Sequence, residues 1–192
     1  MTNGVFSEYE VREQAIKFSG AEEETWSHAD CVGTSEENLE VRTVTKNCRG
    51  VVAKTRTIGA GNGTLNQSLH IPYDLFKAMY GMEFTETWAQ GVLAYGQKSV
   101  HKEFALVQHV YDEDGAEKFK AYPRCIIQTG IARRIENGAE EVAELELEIA
   151  LMPDDEGFCM YEALKDELDP TVAGKWMSAW TPELMKKTVP GG

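Results

Sequence analysis

The cleanest hydrophobic pattern in the chain is a period-two alternation over 142–152. Leu145, Leu147, Ile149 and Leu151 fall on one side, and Glu144, Glu146 and Glu148 on the other. Such a segment is a strand with one face in a core and one in water. A second alternation, over 63–71, sets Leu65, Leu69 and Ile71 against Thr64, Ser68 and His70. Pro72 cannot donate to a ladder and pre-sets a helical φ, so it closes that strand and opens a helix over 72–81. Leu75, Phe76, Met79 and Tyr80 give this helix an apolar stripe, and Gly81 is its stop.

The remaining patterned segments also read as strands. A short one is expected around Ala15, Ile16 and Phe18, after a polar arm over 1–12. Strands over 39–44 and 51–58 flank a turn at Lys46–Gly50, and Gly59–Gly63 is a flexible connection to the strand at 64–71. The three form an antiparallel meander. A hairpin is expected over 99–123, with turn chemistry at Asp112–Gly115 and Pro123 breaking the return strand. Strand continues over 125–135, with a bulge at Gly130, up to a turn at Asn137–Gly138. Residues 19–38 and 83–98 lack a sustained period and read as loops. Met160, Tyr161, Leu164 and Leu168 suit a second helix that Asp169–Pro170 stops. The segment 169–192, with Trp176, Met177, Trp180, Leu184 and Met185, is too apolar for a free linker and packs on its own domain or on a neighbour.

The chain of 192 residues is thus one mainly β domain over 1–192. Its net charge of -13 argues against nonspecific binding to DNA or an anionic membrane as the main activity. No apolar run is long enough to span a bilayer, and the first residues lack the pattern of a signal peptide. The charge is uneven, however. From Arg42 to Met82 the basic residues are Arg42, Lys46, Arg49, Lys54, Arg56 and Lys77, against Asp74 alone. A solvated basic face explains this plainly; the sharper reading is an interface in which this region meets an acidic region of a neighbouring copy.

Chemistry finds little footing. His28, His70, His101 and His109 lack zinc-site spacing, although His101 and His109, eight apart, would share one face of an ideal strand. Cys31, Cys48, Cys125 and Cys159 have no C-x-x-C pair and are expected as reduced thiols packed as small hydrophobes. Gly59–Gly63 precedes a strand and lacks the Gly-Lys-Ser/Thr ending of a phosphate loop. Three glutamates on one strand face make a hydrated wall more readily than an acid–base pair. No cofactor, metal or catalytic residue is expected, and an enzyme is the least favoured class. Exposed Trp26, Trp88 and Trp180 would suit a glycan-binding β-sandwich as one alternative.

Several stretches resemble one family. They are Asn47-Cys-Arg-Gly-Val-Val-Ala-Lys-Thr-Arg-Thr, Gly61-Asn-Gly-Thr-Leu, Ser68-Leu-His-Ile-Pro-Tyr-Asp, Ala94-Tyr-Gly-Gln-Lys-Ser-Val-His-Lys, Tyr111-Asp-Glu-Asp-Gly, Ile135-Glu-Asn-Gly-Ala-Glu-Glu-Val-Ala-Glu and Met152-Pro-Asp-Asp-Glu-Gly, with Met160-Tyr-Glu-Ala-Leu after it. Over roughly residues 8–185 the chain resembles the major tail, or tail tube, proteins of long non-contractile-tailed bacteriophages. The resemblance implies two packed antiparallel sheets flanked by a helix, in a β-sandwich or barrel-like fold with a C-terminal helix and extension. It implies hexameric rings stacked into a hollow tube that conducts DNA. It also implies a place in the virion after assembly in the bacterial cytoplasm, with a tape measure protein, a tail terminator and a distal tail protein as partners. On this reading Glu144, Glu146 and Glu148 face the lumen and repel DNA. Arg42, Lys46, Arg49, Lys54 and Arg56 make electrostatic contacts between subunits, and the 19–38 loop or the 99–123 hairpin bridges subunits or rings. A tail terminator or a head decoration protein is the nearest alternative.

Overall fold

The computed structural model describes residues 6–20, 25–82 and 88–186. The chain is mainly β. Its strands are β1 (Glu10–Phe18), β2 (Ser27–His28), β3 (Cys31–Cys48), β4 (Val51–His70), β5 (Phe104–Tyr111), β6 (Glu117–Ile127), β7 (Leu145–Met152) and β8 (Tyr161–Leu164). Two helices, α1 (Tyr73–Met79) and α2 (Pro170–Ala179), accompany them. All pairings are antiparallel, in the order β2-β1-β5-β6-β7-β4-β3, with β8 branching from β6.

The expected two sheets are one continuous sheet folded over on itself. Side chains from β1 and β5 meet side chains from β3 and β4, which lie at the other end of the strand order. Gln14 Nε2 donates to Gln67 Oε1 at 3.3 Å, and Gln67 and Gln108 both donate to Gln14 Oε1, at 2.8 and 2.9 Å. Ser35 Oγ accepts from the same two amides. These glutamines are buried, so each amide must find its partners inside the fold. Around them Ile16, Leu65, Leu69, Phe104, Leu106, Tyr122, Ile127, Leu147, Ile149 and Leu151 fill the space between the facing halves.

The helix over 72–81 forms as the pattern requires. Pro72 sits at its N-cap, and Leu75, Phe76 and Met79 enter this same core. Gly81, at φ +60, turns the chain away so tightly that a Cβ there would lie 2.1 Å from the carbonyl oxygen of Val100. The opposite side of β1, β5 and β6 carries a second core of Ala15, Val107, Phe119 and Ala121 under Trp176 and Trp180. Trp176 stacks on Phe119 at 5.5 Å, and its indole N–H donates to the carbonyl of Lys120 at 3.1 Å. The apolar tail thus packs on its own domain as far as Lys186; residues 187–192 lie outside the described part.

Several boundaries differ from the pattern. Residues 19–38 are not a loop: β2 and the first eight residues of β3 lie there, and 21–24 fall outside the described residues. Of 83–98, residues 83–87 also fall outside. The expected meander over 39–71 is one long hairpin, because the glycines at 59–63 bend β4 through an irregular register without ending it. Pro123 does not break the return strand. It lies inside β6 where the register to β5 shifts, and a strand position without an N–H is tolerated at such a bulge. Gly130–Ile135 is irregular, not strand. Met160–Leu168 holds β8 and a 3-10 turn at Lys165–Glu167, and Asp169 starts α2 by accepting from the Thr171 amide at 2.8 Å instead of stopping a helix. The stop signal Asp-Pro is equally a start signal, since Asp caps and Pro fits the first helical position.

Candidate functional site

The β3–β4 hairpin is far longer than the sheet that supports it. β4 pairs with β7 only over Gly63–Leu69, whereas the hairpin ladder runs on to Cys48 opposite Val51. Every residue from Asn38 to Thr57 is exposed. The eight residues from Val41 to Cys48 therefore carry a two-stranded ribbon about 25 Å beyond the sheet. Arg49 and Gly50, both at positive φ, make a two-residue turn at its tip. Gly63 anchors the root: a Cβ there would lie 2.6 Å from the carbonyl oxygen of Asn38.

Register gives the ribbon two unlike faces. Arg42 lies opposite Ile58, Val44 opposite Arg56, and Lys46 opposite Lys54. One face therefore gathers Arg42, Lys46, Lys54 and Arg56 around two aliphatic side chains. The other face carries Thr43 opposite Thr57 and Thr45 opposite Thr55, with the hydroxyls of Thr43 and Thr57 3.4 Å apart. Four of the five cations singled out in the sequence thus share a face, and Arg49 stands at the tip. Among the described residues none of the five has a carboxylate partner.

Glu146 and Glu148 project from β7 on its exposed side. In register, Glu148 lies beside Asn66 and Glu36, and Glu146 beside Ser68 and Thr34. The result is a polar, acidic outer face across β7, β4 and β3, along a cavity of about 530 Å³ whose wall includes Glu36, Glu146 and Glu148. Glu36 completes this group and was not among the sequence candidates; it sits in the segment read as loop, so no alternation marked it. Glu144 precedes β7. Its carboxylate lies over Gly33, where a Cβ would come within 2.2 Å of Oε1.

The segment between β6 and β7 lies beside α1. Arg133, Arg134 and Ile135 share a cavity wall with Tyr73 and Phe76, and the Arg133 guanidinium lies 4.1 Å from the Phe76 ring centre. Asn137 and Gly138 turn the chain there, with Gly138 at φ +77. Glu136, Glu140 and Glu141 are exposed on this segment, and only Glu136 has an ion-pair partner among the described residues, Arg134 at 2.6 Å.

Where the ribbon leaves the sheet, a buried lysine ties the N-terminal arm to the strands. Lys120 Nζ lies 2.8 Å from Glu8 and 3.5 Å from Glu37, and Tyr122 donates to Glu37 at 2.5 Å. Burial pushes the Glu8 carboxyl up, but hydrogen bonds and charge from Lys120 and Lys118 outweigh it and leave its pKa below the usual carboxylate range. Burial, helped by Glu37, pushes the Tyr122 phenol far up.

The histidines do not converge. His101 lies before β5, with Nδ1 2.8 Å from the Ile127 carbonyl oxygen, while His109 is buried between Tyr111 and Phe119 with Nε2 2.7 Å from Glu117. Among the described residues no three His, Cys, Asp or Glu side chains are placed to hold a metal ion. Cys125 and Cys159 are buried as expected, whereas Cys31 and Cys48 are exposed, Cys48 at the ribbon tip. Of the tryptophans proposed for sugar stacking, Trp26 and Trp180 are buried and Trp88 is exposed.

No protein-family model and no curated protein matches the chain. Among solved structures it is similar to the tube-terminating cap of the anti-feeding prophage, at 6% identity and a TM-score of 0.47, over 85% of this chain and 97% of that one. It is also similar to a chain of the anti-feeding prophage baseplate, at 10% identity and a TM-score of 0.42, again over 85% of this chain and 97% of that one. Likenesses this distant carry no functional argument.

Proposed function

We propose that this chain is a structural, non-catalytic subunit of a bacteriophage tail, which assembles with copies of itself into stacked rings around a hollow tube. The observation that carries the reading is the ribbon. A monomer gains nothing from a long hairpin uncovered on both faces, with Val41, Val44, Val51 and Val52 exposed along it. Such an element is built to lie against another molecule. The sequence resemblance to tail tube proteins supplies the kind of assembly, with six subunits to a ring and tape measure, terminator and distal tail proteins as its partners.

In that assembly the outer face of β7, β4 and β3 lines the lumen. Glu36, Glu146 and Glu148 hold negative charge on a hydrated wall, which repels phosphate and keeps passing DNA from sticking. Glu144 stands at the margin of that wall.

Negative-stain microscopy of the purified protein across a concentration series tests this. Hollow tubes or six-fold rings that stack are expected. Single rings that never stack would favour a terminator. A monomer at every concentration and salt would overturn the reading.

A further inference from the structure

We infer that the cationic ribbon face of one copy docks on the acidic segment 136–141 of the next, so that copies join head to tail. This rests on the proposed self-assembly and adds which surfaces meet and in what direction.

The two surfaces lie at opposite ends of the same strands. β3 begins at Cys31, opposite His70, and β4 runs from His70 through Pro72 directly into α1. β7 begins at Leu145, opposite Leu69, so the segment before it also lies at the α1 end. The ribbon, with its tip at Arg49 and Gly50, leaves from the other end. The cationic ribbon thus leaves one end of these strands, while the carboxylates of 136–141 lie at the other, beside Arg133 and Arg134.

Each surface lacks a partner within its own chain. Lys46 and Lys54 face each other directly across the ribbon, an arrangement that is unfavourable without a nearby anion. Arg42 and Arg56 add charge on the same face, and Val44 and Ile58 give it an apolar centre. Glu140 and Glu141 are exposed and unpaired among the described residues. Glu141 also lines a cavity of about 820 Å³ with Glu136, Glu144 and Glu146, whose four carboxylates outnumber the Arg133 and Arg134 guanidiniums on the same wall. A second copy fits the ribbon better than nucleic acid does: the chain as a whole carries -13, which repels a duplex but offers carboxylates to a cationic face. Because the two surfaces differ, the contact is heterologous and leaves a free ribbon at one end and a free acidic segment at the other, so it repeats from copy to copy and stays open unless the rotation between copies closes it into a ring.

The test uses charge reversal in the full chain. K46E/K54E and E140K/E141K are each examined alone and combined, by sedimentation velocity from low to high salt and by electron microscopy. Wild-type self-association is expected to weaken with salt, each reversed pair to reduce it at least tenfold, and the combined variant to regain most of it. Failure of the combined variant to recover, or indifference to E140K/E141K, would overturn the docking.

Two further measurements separate the alternatives. With C31S as background, A139C treated with a short bismaleimide should give covalent ladders through native Cys48, even from preparations that form no tubes. That outcome would uphold the docking while the tube reading failed. The absence of ladders where tubes do form would overturn the docking alone. Tight binding of the wild type to a short DNA duplex, lost in K46E/K54E, would assign the ribbon to phosphate and likewise overturn it.

Discussion

Lys120 holds Glu8 at 2.8 Å although the lysine side chain is only 7% exposed. Glu8, together with Glu37 at 3.5 Å, is therefore a counter-ion that lets a cation sit between the N-terminal arm and β3. The Glu8 carboxyl is held below its usual range in the fold, so its contribution is full above the unfolded-state value and disappears as pH falls through the folded-state value. Glu8→Gln should cost about 0.5–1 kcal/mol at neutral pH, since Glu8 is solvent-screened and Lys120 keeps Glu37. Urea unfolding at pH 7 and again below the carboxylate range checks this, and the difference from wild type should shrink at the acid end.

The glutamine cluster makes a sharper comparison. Gln67→Leu removes a donor and an acceptor from Gln14 and leaves buried amide atoms unpaired. It should cost about 1–3 kcal/mol. The triple change of Gln14, Gln67 and Gln108 to Leu or Met should cost less than the sum of the three single changes, because no orphaned partner remains. A thermodynamic cycle from denaturant curves measures that non-additivity.

Gly63 and Gly59 lie four residues apart on β4 with different surroundings. A Cβ on Gly63 would strike backbone at 2.6 Å, whereas one on Gly59 meets nothing within 4 Å. Gly63→Ala should lower stability by about 1–3 kcal/mol, the range for overpacking against a wall that cannot yield. Gly59→Ala should lie within about 0.5 kcal/mol of wild type, as surface changes usually do. Thermal melts of the two variants decide it.

Trp176 closes the second core. Trp176→Ala should cost about 3–5 kcal/mol from the lost ring alone. Trp176→Phe keeps much of the stacking on Phe119 but loses the indole bond to the Lys120 carbonyl, so a smaller loss of about 0.5–1.5 kcal/mol is expected. Chemical denaturation should rank the three proteins in that order.

The sequence pattern was most legible where one face met core and the other met water. β7 and α1 both sit where alternation and helical spacing place them, and the basic cluster was visible as composition before its shape was known. The ribbon's hairpin was legible in the strands over 39–44 and 51–58 and the turn at 46–50, but its full length was not. Its two faces are both exposed, so no apolar alternation marks it, and the glycines at 59–63 look like a loop although they are a bend within a strand. The same effect hid Glu36: β3 from Gly33 to Glu36 is exposed, and exposed strand resembles loop. Asp169–Pro170 misled for another reason, since the same dipeptide ends one helix and starts another. That Gln14, Gln67 and Gln108 meet was not legible at all, because residues 53 and 94 apart in sequence are joined only by the folding-over of the sheet.

The pairing of β1 with β5 sets an order on synthesis. β1 is made first, yet only the two-residue β2 lies near it in sequence; its long ladder is with β5, some 90 residues downstream, so it emerges with little to bind. The β3–β4 hairpin needs only its own neighbours and is free to form at once, since local contacts precede distant ones. A nascent chain thus displays its finished ribbon while the acidic segment of that same chain is still unmade. On the proposed docking, a chain at that stage offers one of the two surfaces and cannot extend a polymer in both directions until residues 136–141 have also emerged.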